Sequence, residues 1–220
     1  ADTPLTSEDW LLTRYTGTDA DTGLTDANGN LLMPDEEGDG GWVTGFDGDN
    51  VIDLSDEPEG LRFDIEAGYG NDEIIGSSGD DEISGGGDAD IMTGGAGADR
   101  FIFEYDDAYA SLVFNDNDGS GDATDGDVLA FDMGIDVITD FSAGDAIDLW
   151  DANYFDSDGE VHQGSFDVAT GEFTFGSDAD ATDTLLAFDT MAAPYAISGM
   201  VLLDVLPNEL NLGDGSYIVI

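Results

Sequence analysis

Residues 67–102 read A67-G-Y-G-N-D-E-I-I, G76-S-S-G-D-D-E-I-S, G85-G-G-D-A-D-I-M-T and G94-G-A-G-A-D-R-F-I, four nonapeptides in unbroken register. An Asp returns at the same place in each, at Asp72, Asp81, Asp90 and Asp99. Two places after each stands an apolar residue, Ile74, Ile83, Met92 or Phe101, and small residues fill the stretch ahead of each Asp. A Gly/Asp-rich linker has no reason to hold an acid and an apolar side chain in register four times. The pattern fits a short strand with one inward apolar side chain and then a tight bend. Gly supplies the bend because other residues reach its backbone angles only at a cost. Such a bend leaves carbonyls without partners, which is costly once they are buried.

The repeat resembles the RTX (repeats-in-toxin) nonapeptide of calcium-binding parallel β-rolls. The resemblance implies a hard cation in the bend, since calcium takes 6–8 oxygens and accepts carbonyls and carboxylates together. Two nonapeptides then make one coil, so equivalent positions stack two repeats apart and Asp72 pairs with Asp90, Asp81 with Asp99. The implied ligand sets are Gly68, Gly70 and Asp72 with Gly85, Gly87 and Asp90, and Ser77, Gly79 and Asp81 with Gly94, Ala96 and Asp99. Two positions depart from the family pattern: Asp88 stands where the turn usually has Gly, and Ser77 replaces a Gly. Both keep a backbone carbonyl.

Working outward, G45-F-D-G-D-N-V-I-D is a weaker copy of the repeat, with Asn50 in the Asp place. The step from Ile52 to Ile65 is longer than one repeat, and the regular spacing resumes from Ile65 to Ile74. Val51–Leu54 and Leu61–Glu66 are expected to be strands that cap the first coil, because a solenoid needs covered ends. Ser7-Glu8-Asp9-Trp10 could open a short helix by N-capping.

On the other side, Asp116, Asp118, Ser120, Gly121, Thr124 and Asp127 match EF-hand loop positions, with Asp127 where Glu is usual. No helix signals flank this stretch, and an acidic surface loop accounts for it as well as a third calcium loop does. The segment Asp136 to Leu149 resembles the one that comes after the β-roll in serralysin-type proteases and alginate-epimerase repeat modules. That resemblance implies that Asp136 and Asp140 complete the last calcium sites; a capping hairpin with solvated carboxylates is the alternative. From Gly164 onward strands and turns alternate, at Ser165–Val168, Glu172–Phe175, Thr184–Phe188, Met200–Leu203 and Tyr217–Ile220. The apolar C-terminal end resembles the tail of type I secretion substrates. The expected fold is therefore all-β: a parallel β-roll at 45–105 with calcium in its turns, a loop-rich capping segment at 1–44, and a β-sandwich-like cap at 106–220.

Composition bounds function. The 220 residues hold 52 acids against Arg14, Arg62 and Arg100, with no lysine, for a net charge of −49. Self-repulsion on this scale opposes a compact state, yet 40% of the residues are hydrophobic and 10% aromatic, too many for a disordered acidic tail. Two calcium ions supply only +4 of the 49, so both further ions and a saline, marine-type medium with a short Debye length are expected. Nucleic acid is an unsuitable partner, because phosphate contacts need Lys and Arg. No cysteine is present, and the longest apolar run, Ile197 to Leu206, is too short to span a bilayer and is broken by Asp204. No signal peptide is visible at Ala1.

The zinc motif of the look-alike proteases needs several histidines, and the chain has His162 alone. No G-x-S-x-G elbow occurs. Among 52 acids, chance proximity of two carboxylates says nothing about glycosidase chemistry. Trp10, Trp42 and Trp150 are too scattered for a sugar platform, and core packing is the expected use. The leading expectation is a secreted bacterial, non-catalytic calcium-binding protein with a structural or adhesive role, a homo-oligomer or filament, matrix or surface-layer subunit. A solenoid whose ends pair with neighbours polymerises naturally. The alternative is a secretion, folding or substrate-binding module of a larger protease or polysaccharide epimerase. A binder of extracellular polysaccharide, cell surface or ice is the third.

Overall fold

A computed structural model describes residues 17–19, 23–25, 31–34, 40–57, 59–103, 109–131, 134–149, 160–191, 196–212 and 217–220. The expected helix at Ser7–Trp10, and Trp10 and Trp150 themselves, lie outside the described residues.

The described elements are strands and one 3-10 turn, Pro207–Glu209. In chain order the strands are β1 (Gly17–Asp19), β2 (Gly23–Thr25), β3 (Leu31–Pro34), β4 (Gly40–Thr44), β5 (Val51–Asp53), β6 (Arg62–Tyr69), β7 (Glu73–Ile75), β8 (Glu82–Gly87), β9 (Ile91–Thr93) and β10 (Arg100–Phe103). They continue with β11 (Tyr109–Asn115), β12 (Val128–Phe131), β13 (Asp136–Ile138), β14 (Ala146–Leu149), β15 (Glu160–Asp167), β16 (Glu172–Phe175), β17 (Asp183–Met191), β18 (Ala196–Leu202) and β19 (Tyr217–Val219).

Strands of the repeats alternate between two parallel stacks, β4-β6-β8-β10-β14 and β5-β7-β9-β13-β18. Ile65 lies beside Ile83, Ile83 beside Phe101 and Ile74 beside Met92, each pair two nonapeptides apart. This is the β-roll. The apolar residue of each nonapeptide points between the stacks, where Ile74, Ile83, Met92 and Phe101 join Ile52, Ile65, Ile138 and Ile147 in one buried core. The first coil is longer than the others. Its pairings run from Ile52 to Ile74 and from Val43 to Ile65, so the long step in the sequence is an enlargement of one loop, with the stacking kept. The roll also reaches beyond the expected bounds of 45–105. β4 is its first strand, and β13 and β14 close it after an insertion that carries β11 and β12.

The C-terminal cap shares a sheet with the roll. β11, β12, β16, β15, β17 and β18 pair antiparallel in that order, and β18 returns to β11, closing a six-stranded barrel. β18 belongs to both bodies: Ala196–Ser198 pair with β11, while Met200–Leu202 pair with β13 of the roll. The continuous apolar runs in the sequence now have a cause. A strand buried on both faces has no polar side to show. Val137, Leu185 and Val201 face the barrel core with Phe131, Phe173 and Phe175, while Ile138, Leu186, Met200 and Leu202 face the roll core. Trp42, expected in a core, is 52% exposed, because it alternates with Val43, whose side chain takes the inward position on β4.

Candidate metal centre

The bends between stacks bring the repeat acids into two columns. Along one edge, the Asn50 amide donates to Asp72 Oδ1 (2.7 Å), the Asp72 amide to Asp90 Oδ1 (2.8 Å), and the Asp90 amide to Asp136 Oδ1 (3.0 Å). Along the other, the Phe63 amide donates to Asp81 Oδ1 (2.7 Å), the Asp81 amide to Asp99 Oδ1 (2.9 Å), and the Asp99 amide to Asp145 Oδ1 (3.0 Å). Each Asp thus ties its coil to the preceding one with one oxygen and keeps the second for the turn. All six acids are buried.

The expected pairings Asp72–Asp90 and Asp81–Asp99 are therefore adjacent rungs. Backbone carbonyls come with them. Those of Gly68, Ser77 and Gly79 point along the stack at Gly86, Gly95 and Gly97, where an added Cβ would lie 2.0, 2.2 and 2.3 Å from the oxygen. Gly86 also has φ +94, so two independent reasons exclude a side chain there. Gly85 and Gly94 lie under the carboxylates of their own repeats, since a Cβ at either would meet Asp90 or Asp99 Oδ2 within 2.5 Å. The Gly87 carbonyl accepts from the Gly70 amide at 3.1 Å, and the Ala96 amide donates to the Ser77 carbonyl at 3.4 Å. Asp140 receives the Gly94 and Gly95 amides at 2.8 and 2.9 Å and so closes the last repeat turn. Asp88 takes φ +82, and Asp204 is the one other described non-glycine residue at positive φ. Asp88 fills a glycine position in the glycine conformation.

Two features go beyond the sequence reading, and Asn50, expected in the Asp place, is where the repeat copy put it. Asp145 is a rung equal to Asp136, and its signal is present: D136-V-I and D145-A-I repeat the Asp-x-apolar pattern one nonapeptide apart. Ser77 contributes a side chain as well as a carbonyl, with Oγ 2.9–3.0 Å from both Asp81 oxygens and the Leu61 carbonyl. Asn50 heads the first column.

A buried carboxylate is costly unless charge and hydrogen bonds compensate it. Arg100 is engaged on the outer face of the sheet by Glu82 (3.0 Å) and Asp148. Asp72 Oδ2 is buried without a hydrogen-bond partner. A buried acceptor-only atom with no donor beside it fits a hard divalent cation. Protonation reports the same demand. Burial raises Asp72 and Asp81 above the usual carboxylate range, against the hydrogen bonds from Asn50 and Ser77. Burial, with Asp81, Asp145 and Asp140 adding repulsion, pushes Asp99 up to about 7.

These shifts set the sign of the pH effect in the calcium-free protein. A carboxyl raised in the fold binds more protons folded than unfolded between about pH 4 and pH 7, so stability falls as pH rises through that window. With each pKa unit equivalent to about 1.4 kcal/mol, chelated protein is expected to gain order on acidification from pH 7 toward pH 4. Far-UV circular dichroism in chelator checks it; loss of structure on that path is the opposite result.

The loop between β11 and β12 gathers Asp116, Asp118 and Asp127, with one carboxylate oxygen of each within 4.8 Å of the others. Its chemistry differs from that of the columns. Asp118 is held below the usual range by hydrogen bonds from Ser120, and Asp127 by those from the Asn117 and Thr124 amides. Asp118 and Asp127 are already solvated by neighbouring backbone amides and stay charged without a metal.

Residues 66–101 match the family model of the RTX calcium-binding nonapeptide repeat, in four copies. No curated protein matches the chain. The roll and its columns of buried acids define a calcium-binding class of fold, and this segment is an RTX repeat array. Among the described residues, no helix is long and apolar enough to cross a membrane.

Proposed function

We propose that the chain is a secreted, non-catalytic, structural or adhesive protein whose roll is held closed by calcium. The observation that carries this reading is the pair of aspartate columns, buried and built from one amide-to-carboxylate bond per coil. Calcium would lie between Asp72 and Asp90 and between Asp81 and Asp99, with Asp136 and Asp145 extending each column by one further position. The loop of Asp116, Asp118 and Asp127 is a separate candidate for an additional ion. The adhesive part is supported by exposed aromatic side chains on the first two coils, Trp42, Phe46 and Tyr69. Self-assembly is supported by the same exposed apolar side chains, which two copies can cover against each other. The extracellular setting rests on the repeat type.

Association is expected only with calcium, which both folds the roll and screens subunits of net charge −49. Light scattering and electron microscopy at millimolar calcium and in chelator check this, alongside assays for protease and polysaccharide cleavage. A chain that stays monomeric over a wide concentration range favours the module of a larger exoenzyme instead, and measured hydrolysis removes the non-catalytic reading.

A further inference from the structure

Besides its longer loop, the first coil departs from the others at the acid position of its turn. Asn50 stands in the Asp position, and the equivalents of Gly68 and Gly70 are Phe46 and Gly48, one coil earlier. Three oxygens converge on Asn50 Nδ2: the Phe46 carbonyl at 2.5 Å, the Gly48 carbonyl, and Asp72 Oδ1 at 3.4 Å. They are two carbonyls of one turn and the carboxylate of the next coil, the same kinds of oxygen that the calcium reading assigns to the acidic turns. The Asn50 Oδ1 accepts from the Phe46 amide at 3.3 Å, which fixes which end of the amide is nitrogen. The two coils are also in contact here, since a Cβ on Gly70 would lie 2.4 Å from the Gly48 carbonyl carbon.

We propose that the Asn50 amide takes the place of a calcium ion in the first turn, ending the column at Asp72 and closing the first coil without metal. The proposal rests on the reading that calcium occupies the acidic turns. With Asp at position 50, the backbone amide would still donate to Asp72 Oδ1, but the side chain facing the Phe46 and Gly48 carbonyls would be an acceptor, and the turn would need a cation to close. An amide supplies two N–H donors and no charge. The consequence is a neutral, metal-independent seat on which the next coil can register, in a chain where every other rung of both columns is an acid that repels its neighbours until an ion arrives. The substitution of one oxygen by one NH2 also sets how many ions the column holds.

The test is the number of calcium ions per chain, by isothermal titration, for the wild type and for Asn50→Asp. The expected result is one additional ion in Asn50→Asp, whose fold then requires more calcium than the wild type. Wild-type protein that binds calcium while Asn50→Asp binds the same number overturns the proposal and leaves the calcium reading intact. A wild-type chain that binds none overturns the calcium reading and the proposal with it. Should Asn50→Asp not fold, Asn50→Ser decides. It removes the amide donors without adding charge, so at saturating calcium its melting temperature should fall while its ion count stays at the wild-type number. An unchanged melting temperature overturns the proposal.

Discussion

Stripped of calcium at low ionic strength, the chain is expected to give a coil-like far-UV circular dichroism spectrum, and calcium should convert it to a β-rich one. The cause is local before it is global. Six buried aspartates stand in two columns, and burial alone already drives Asp72, Asp81 and Asp99 toward the protonated form. At pH 7 the unfolded chain ionises them at no such cost. Around them lies a chain with 52 acids and three arginines. Extracellular calcium modules have Kd on the order of 10⁻⁴–10⁻³ M. A site occupied only in the fold adds about 2.7 kcal/mol at a hundredfold excess over Kd. Two such sites match the lower end of the roughly 5–15 kcal/mol that holds a domain together, so ion loss and unfolding should coincide. A spectrum unchanged after exhaustive chelation would sink the idea.

Asp90→Ala, at a middle rung, should have a larger effect than loss of a rung at the end of a column. Asp90 is the middle of its column: it accepts the Asp72 amide, and its own amide donates to Asp136. Its loss weakens the positions on both sides and strands the buried Asp72 amide, itself about 1–3 kcal/mol. At about 1.4 kcal/mol per tenfold, the calcium midpoint for folding should rise on the order of tenfold or more. Asp178→Ala is the control. Asp178 is exposed, accepts from the Asp180 amide at 3.2 Å and lies outside both columns, so its midpoint should stay put or fall slightly as repulsion drops. Equal midpoints for the two variants would contradict the pairing of acids two repeats apart.

The roll is legible in the sequence because its physics is periodic. One inward apolar residue and one Asp per nonapeptide specify strand, turn and stack together, and the structure places Ile74, Ile83, Met92 and Phe101 in one core. Asn50 in the Asp place and the long step from Ile52 to Ile65 are legible for the same reason. The chain beyond Phe101 is harder to read. The pattern restarts at Asp136 only after an insertion, so resemblance reaches Asp136 and misses Asp145, although both repeat Asp-x-apolar. The barrel is not legible, since its closure depends on β18 pairing with β11 over a long separation, which no local pattern encodes. The apolar runs of β17 and β18 signal burial on both faces without saying that two different cores supply it. The exposure of Trp42 comes from its register against β6, beside Asp64, which composition does not contain.

The central claim is that calcium sits between stacked aspartates, and anomalous diffraction from crystals of the calcium-loaded protein tests it most directly. The account predicts peaks between the carboxylates of Asp72 and Asp90 on one edge of the roll and of Asp81 and Asp99 on the other, with none at the Asn50 turn. Calcium-loaded crystals with no peak along either column would contradict it.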